Sequence, residues 1–358
     1  MGISKLLVLG TLLFSTHAKA EQYWQADPRP PRFCVQNFNA YGPIYAKNIE
    51  GRTERIAGFL QGIPKCDVVH LQEVWNDSHI VQFEKSLKHQ YNISAPNKDE
   101  KIGLMSFFMG DIKGRQTVDF NVNNEGGVLD SVRSAFNVKK AYHIVRSNFF
   151  GIDEDFFFMN THLHPTSKAV RITQILDILQ WRLKHQQLKL VFSGDFNSDI
   201  DSVERKFLMK TLGAHDSMEE YLGQYPKGYC TYCFGNPLGW MLSDHTFDYI
   251  FFSNVGESGT TLKATEGQVN MRGSPREPWS DHYGVRVELS VEPETSQITE
   301  KALEARRTDT IEMLAVAEYI LKEEKGEEFK PYITLVQQLS GQLKNRTGNF
   351  NSYFEKFR

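Results

Sequence analysis

Apolar residues fall along the chain in two rhythms. Short runs rich in Val, Ile, Phe and Tyr recur at 33–38, 67–72, 102–109, 141–147, 155–161, 189–194, 247–252 and 282–289, and their length and composition predict strands. Between them Val170, Ile172, Ile175, Leu176, Ile178, Leu179 and Leu183 recur at helical spacing within residues 167–186. The segments 52–60 and 203–212 carry the same spacing, the second closed by Gly213. Mixed strands and helices over this length predict an α/β layered structure, with sheet packed on sheet or helix. Beyond Val291-Glu292-Pro293 the pattern changes: 300–323 is charged and helix-forming, and 332–343 is a second amphipathic stretch. Residues 293–358 are therefore expected to form a helical C-terminal extension packed on the main domain.

The composition, 40% hydrophobic, 24% charged and 12% aromatic over 358 residues, is that of a folded globular chain and not of a disordered one. Forty-one basic and 44 acidic side chains leave a formal charge of −3, which argues against a polybasic nucleic-acid binder but leaves room for a nuclease with a local basic groove. Residues 1–20 read as a secretory signal: Lys5, an apolar run from Leu6 to Phe14, and Ala18-Lys19-Ala20 as a small-x-small cleavage site. Its removal takes away two lysines and no acids, moving the charge from −3 to −5, and implies a secreted or periplasmic protein. No other apolar run approaches the length of a membrane span, so a monomer that is soluble or in peripheral membrane contact is expected.

Export permits disulfides, and Cys34, Cys66, Cys230 and Cys233 allow three pairings. Cys230-Thr-Tyr-Cys233 suits a local bridge, whereas Cys34 and Cys66, in or beside predicted strands, read as buried small residues. Two further segments stand out. The tip 148–152, Asn-Phe-Phe-Gly-Ile, joins two predicted strands and is a candidate membrane contact unless another element covers it. The stretch 225–240 is dense in aromatics, and Tyr232 and Trp240 are candidate substrate contacts, suited to stacking or to a cationic headgroup, or to packing.

Polar residues cluster at strand ends, where α/β sites are built. The clusters are Asn37-Phe38-Asn39, Gln72-Glu73-Val74-Trp75, Thr161-His162-Leu163-His164, Gly194-Asp195-Phe196-Asn197, Phe247-Asp248-Tyr249 and Ser280-Asp281-His282. In this order they resemble the endonuclease/exonuclease/phosphatase superfamily, which has a deoxyribonuclease I-like fold, and within it the neutral sphingomyelinases. The resemblance covers the span 32–292. It implies a four-layer α/β sandwich of two packed mixed β-sheets, to which the C-terminal helices are appended, and metal-dependent hydrolysis of a phosphate ester.

The residue types suit that chemistry. Glu73 is a hard oxygen ligand fit for Mg²⁺, with Mn²⁺ or another divalent ion as substitutes, and Asn37 and Asp281 would add to its shell. His282 is the expected general base, oriented by Asp248. Asp195 would position the water or the leaving oxygen, while Asn197 and His162 would donate to phosphoryl oxygens. His162 and His164, two apart in a strand, are alternatively a zinc-binding pair. The leading expectation is thus an exported phosphodiesterase attacking by a His-activated water, most like a sphingomyelinase-type phospholipase C. The alternatives are a secreted DNase-like endonuclease and a non-catalytic binding module; phospholipid and nucleic acid are the two substrate classes.

Overall fold

Alternation along the central strands sets the architecture. In the computed structural model, which describes residues 30–43, 46–62, 65–96, 101–123, 139–295 and 298–357, strand β7 (Phe156–His162) turns Phe156, Phe158, Asn160 and His162 to one side and Phe157 and Met159 to the other. The expected signal segment lies outside the described residues. Strands β1 (Arg32–Asn39), β2 (Val68–Gln72), β8 (Leu190–Asp195), β10 (Asp248–Ser253) and β12 (Gly284–Pro293) alternate in the same way. Phe33, Val35, Val68, Phe156, Phe158, Val191, Ile250, Phe252, Val285 and Val287 thereby close a dry layer between two sheets.

The remaining strands are β3 (Asn92–Ser94), β4 (Met105–Phe108), β5 (Asp111–Asp119), β6 (Ala141–Asn148), β9 (Ala214–Asp216) and β11 (Thr260–Asn270). One six-stranded sheet has the order β11-β12-β1-β2-β4-β3 and the other β5-β6-β7-β8-β10-β9. Each is mixed: β1 and β2 are parallel, as are β7 and β8, and their other neighbours run antiparallel. The parallel pairs are joined by helices α1 (Ile49–Gln61) and α3 (Lys168–Lys184), the crossover that a parallel pair needs. The C-terminal ends of β1, β2, β7 and β8 therefore share one edge with the N-terminal ends of β10 and β12, and the ionisable candidate site residues lie there.

Helix layers cover the outer faces. Ile56 and Leu60 of α1 and Phe83 and Leu87 of α2 (Asp77–Leu87) pack on Phe38, Val69 and Leu71. Val170, Ile175 and Leu179 of α3 and Phe207 and Leu208 of α4 (Val203–Leu212) pack on Phe157, Phe192 and Phe251. Ser167 caps α3 and Ser202 caps α4 by accepting from the backbone N–H groups of Val170 and Arg205. A short helix α5 (Ser217–Leu222) follows β9. The expected four-layer sandwich is thus present. Helices α6 (Glu300–Glu323), α7 (Lys330–Asn345) and α8 (Gly348–Phe354) add Leu314, Leu321, Val336, Leu343 and Phe350 to the α3–α4 cluster, and the Tyr353 hydroxyl donates to the Leu212 carbonyl at 2.8 Å. Each fully buried side chain of this kind contributes about 1.5–3 kcal/mol, so the extension is held to the domain by its apolar face.

Two expectations need correction. Cys34 and Cys66 are bridged, tying β1 to the segment that enters β2, and Cys230 and Cys233 form the local bridge. At the 148–152 tip, Phe149 and Ile152 are buried in the inter-sheet layer and Phe150 alone of the three is exposed, at the end of β7 remote from His162. The covering element for Phe149 and Ile152 is the inter-sheet core.

Candidate active site

The site grows out of one row of inward-facing positions. Along β1 the row reads Phe33, Val35, Asn37, Asn39; along β2, Val68, His70, Gln72; along β7, Phe156, Phe158, Asn160, His162; along β8, Val191, Ser193, Asp195. It passes from apolar, through amides and hydroxyls, to ionisable groups. The middle rungs are paired across the two sheets. Gln72 Nε2 donates to Asn37 Oδ1 at 2.9 Å and to Asn160 Oδ1 at 2.7 Å, Asn160 Nδ2 donates to the carbonyls of Leu71 and Met105 at 3.0 Å each, and His70 Nδ1 lies 2.8 Å from Ser193 Oγ. These bonds hold the sheets in register beneath the site.

At the edge, Glu73 follows β2 with φ 58° and Asn197 follows β8 with φ 50°. A left-handed residue other than glycine costs about 1–2 kcal/mol, least for Asn, and such strain concentrates at functional sites. The Gly194-Asp195 step requires glycine, since a Cβ there would overlap the Thr161 carbonyl oxygen of β7. Asp195 is then pinned: Oδ1 accepts from the Asn197 N–H at 2.9 Å and Oδ2 from Asn39 Nδ2 at 3.0 Å. Asn39 Nδ2 also lies 3.3 Å from Glu73 Oε1. His162 Nε2 lies 3.3 Å from Asp195 Oδ2 and 4.0 Å from Glu73 Oε1.

Across from this group stands a histidine–carboxylate pair. His282 Nδ1 is 2.7 Å from Asp248 Oδ2, which leaves Nε2 facing Asp195 Oδ2 at 3.7 Å. Ser280 fixes the loop from below: its hydroxyl reaches the Asn39 carbonyl at 2.6 Å and accepts from the His282 N–H at 3.1 Å. Arg52, buried, donates to the carbonyls of Ala40, Tyr41 and Trp279 and so ties the β1 end to the segment before Ser280. Trp75 approaches His162 with ring centroids 6.4 Å apart, and Lys140 Nζ lies 5.8 Å from the Trp75 ring.

The electrostatics follow from burial and crowding. Burial pushes Asp195 up to about 6, with Asp248 and Glu73 adding to the rise against His282 and Lys140. Burial likewise pushes Asp281 up to about 7, helped by Glu73 and Asp195. Burial alone would depress His282, yet Asp248, Asp195 and Asp281 around it hold it well above its ordinary value. Buried carboxylates gathered without a matching cation are unfavourable, and this is the environment a divalent ion relieves. The donor atoms of Glu73, His162 and Asp195 lie within 4.8 Å of one another, so the residues present fit a metal ion. The close approach of Cys230, Cys233 and Asp244 does not make a second such set, because both cysteines are bridged.

Residues 37–282 match the family described as endonuclease/exonuclease/phosphatase. The chain belongs to that family. Its members are hydrolases of phosphoester bonds and generally need a divalent metal, in keeping with the Glu73–His162–Asp195 cluster. Among solved structures, the chain is similar to TDP2 of D. rerio complexed with single strand DNA product, at 18% identity and TM-score 0.58 over 72% of this chain and 99% of that one. A family member from Bacteroides thetaiotaomicron aligns at 17% identity and TM-score 0.56 over 74% and 99% of the two chains. Truncated Caenorhabditis elegans TDP2 aligns at 20% identity and TM-score 0.54 over 72% and 98%. At these identities the likeness concerns the endonuclease/exonuclease/phosphatase fold. No curated protein matches the chain.

Of the residues expected from sequence, Glu73, His162, Asp195, Asp248, Asp281 and His282 meet at this edge. Asn37 sits one rung below it, its Oδ1 held by Gln72 and its Nδ2 donating to the Gly194 carbonyl at 3.2 Å, which is a supporting place and not that of a metal ligand. Asn39, two residues on, holds the place beside Glu73 and Asp195. Asn197 is at the site, but its Nδ2 donates to the Leu163 carbonyl at 3.1 Å. Tyr232 packs its ring edge-on to His282 at 5.0 Å, and Trp240 is an exposed rim residue whose N–H donates to the Tyr232 hydroxyl. The zinc-pair reading of His162 and His164 does not hold. β7 ends at His162, and the Nδ1 of buried His164 accepts from the Ser167 N–H at 3.0 Å, away from the cluster. Asn39 and Ser280 lie in clusters read from sequence but were given no role there, and Lys140 and Thr231 were not singled out. Asn39 was recoverable, since it shares the inward face of β1 with Asn37.

Proposed function

We propose that the protein is a Mg²⁺-dependent phosphodiesterase that cleaves a phospholipid headgroup ester in the manner of a sphingomyelinase-type phospholipase C. The observation that carries the chemistry is the His282–Asp248 pair, with its free ring nitrogen turned toward Asp195 beside the Glu73–His162 donors. In this reading His282 Nε2 takes the proton from the attacking water, and Asp248 holds the Nδ1–H tautomer and stabilises the imidazolium. Asp195 orients the water, and His162 donates to a phosphoryl oxygen. Glu73, with Asp281 and Asp195 beside it, would hold the ion, which when bound supplies positive charge to the phosphoryl group. Asp195 and Asp281, which with Asp248 raise His282, are among the carboxylates the ion would neutralise, so loading the site and freeing the base go together.

Support for a lipid comes from the loop over His282. Phe234, Trp240 and Leu242 are 60%, 77% and 88% exposed there, on the loop whose Tyr232 packs against His282. Exposed apolar groups beside a phosphodiester site suit a substrate presented in a membrane interface better than one in water. The acidic net charge favours the same side. A DNase-like activity is the second reading, favoured by the similarity to a TDP2 crystallised with single strand DNA product. An exported location is supported by the signal-like residues 1–20 and by two disulfides, which suit an oxidising compartment. The deciding assay is purified protein with Mg²⁺ on sphingomyelin vesicles and on plasmid DNA side by side. Release of phosphocholine without nicking is the expected result. Nicking without phosphocholine release would overturn the lipid reading in favour of the second.

A further inference from the structure

The Cys230–Cys233 bridge encloses two residues, and both touch the catalytic pair. Thr231 is fully buried, and its hydroxyl accepts from two successive N–H groups, Phe247 at 3.0 Å and Asp248 at 3.2 Å. Its carbonyl accepts from the Tyr283 N–H at 2.7 Å, one residue beyond His282. One threonine therefore grips the backbone that carries Asp248 and the backbone that carries His282. Tyr232 completes the contact from the side, its ring edge-on to His282 at 5.0 Å and 5.8 Å from Phe247. The turn is anchored in turn: Tyr232 and His245 exchange both backbone hydrogen bonds, at 2.8 and 2.9 Å, and His245 Nδ1 lies 2.6 Å from Asp199 Oδ2, on the loop that follows Asp195.

We infer that the disulfide-closed turn is a positioning device for the Asp248–His282 pair, with Thr231 as its working residue. The inference rests on the phosphodiesterase reading, for whichever substrate. The physical argument is one of freedom. Asp248 begins β10 and His282 lies on the loop that leads into β12, and their 2.7 Å contact depends on two backbones keeping their separation. A single hydroxyl that accepts two N–H groups from one of them, with its own carbonyl bonded to the other, fixes that separation directly. The bridge then limits how far the turn itself can move, since a closed four-residue ring has little conformational freedom left to lose. Proton transfer is steeply sensitive to such placement: a misplacement of about 1 Å costs on the order of 100-fold.

The test is Mg²⁺-dependent turnover of bis(p-nitrophenyl) phosphate by the full chain and three variants: Thr231→Val, which keeps the shape and loses the hydroxyl; Thr231→Ser, which restores it; and the double change Cys230→Ser, Cys233→Ser, which leaves Cys34–Cys66 intact. Thr231→Val is expected to lower kcat by about 10- to 100-fold with KM within about twofold, and Thr231→Ser to recover most of it. A merely structural threonine would lower the folded fraction without this split between kcat and KM. The open-turn double variant is expected to fall between wild type and Thr231→Val. Folded Thr231→Val with wild-type kcat would overturn the inference. Should that variant not fold, an unchanged kcat in the double cysteine variant would overturn it. A wild-type chain that turns over no phosphodiester overturns the phosphodiesterase reading itself.

Discussion

His70 and His282 are both buried between the two sheets, and the protein treats them oppositely. His70 lies among the middle rungs, beside Ser193 Oγ and the Phe108 ring, and burial drives it down to about 3. His282 lies at the edge among Asp248, Asp195 and Asp281, and their charge outweighs burial and drives it up. Equal burial gives opposite sign because the neighbours differ. The same contrast separates the two ends of the inter-sheet layer. One end is packed with Phe33, Phe149, Phe156 and Phe158, whose rings meet at centroid distances of 5.2–6.1 Å. The other gathers carboxylates and histidines whose mutual repulsion and desolvation oppose folding. Stability is stored at the first end and chemistry at the second, joined by neutral amide rungs.

The contrast breaks most visibly at the chemical end. His282→Ala and Glu73→Ala should each lower kcat/KM for phosphodiester hydrolysis by about 10²–10⁴-fold, with the cooperative unfolding transition retained. At the apolar end, Phe158→Ala should cost about 3–5 kcal/mol in denaturant unfolding while kcat per folded molecule stays at the wild-type value. Reciprocal results, with Phe158→Ala poisoning turnover and His282→Ala unfolding the chain, would erase the distinction.

The middle rungs have a pH signature. The folded value of His70, about 3, lies below its ordinary 6.5, so the unfolded state binds the proton first as pH falls. Its contribution to stability is therefore lost between pH 6.5 and about 3, at about 1.4 kcal/mol per pH unit. The variant His70→Gln, compared with wild type by urea unfolding in chelator from pH 7 downward, should show a gap that shifts in the variant's favour at that rate; a gap independent of pH would refute it. The smallest effect lies at the site itself. Asp281 has a folded value of about 7 against an ordinary 3.8, so the unfolded chain releases this proton first and the metal-free fold loses stability as pH rises from 3.8 to about 7. Asp281→Asn should therefore gain metal-free stability relative to wild type as pH rises from 3.8 to about 7 and keep that gain above it, measured by thermal unfolding, while lowering Mg²⁺-dependent turnover.

Much of this was legible in sequence, for a reason that also explains the omissions. The eight strands read from apolar runs are those buried on both faces or nearly so, such as β7 and β8, where burial leaves a continuous signal. The edge strands β5 and β11 were not read, because Asp-Ile-Lys-Gly-Arg-Gln-Thr-Val-Asp and Thr-Thr-Leu-Lys-Ala-Thr-Glu-Gly-Gln-Val-Asn bury few of their side chains fully and carry no apolar run to see. The ionisable site residues were legible because Glu73, Asp195 and His282 each end or flank a buried strand. The roles of the neutral ones were not: Thr231 and Ser280 act through single hydroxyls whose partners lie 16 to 241 positions away. The exchange of Asn37 for Asn39 has a similar cause. Both face inward, and only the pairing of Gln72 across the layer decides which of them reaches the edge.

The claim on which the rest depends is that Glu73, Asp195 and His282 act together as one metal-dependent phosphodiester site. A Mg²⁺ titration of bis(p-nitrophenyl) phosphate hydrolysis, run on wild type, Glu73→Ala and His282→Ala with a chelator control, measures this directly. Saturable dependence on Mg²⁺ in wild type, abolished by chelator and by either substitution, is the predicted result. Hydrolysis that persists in chelator, or at the wild-type rate in both variants, would contradict it.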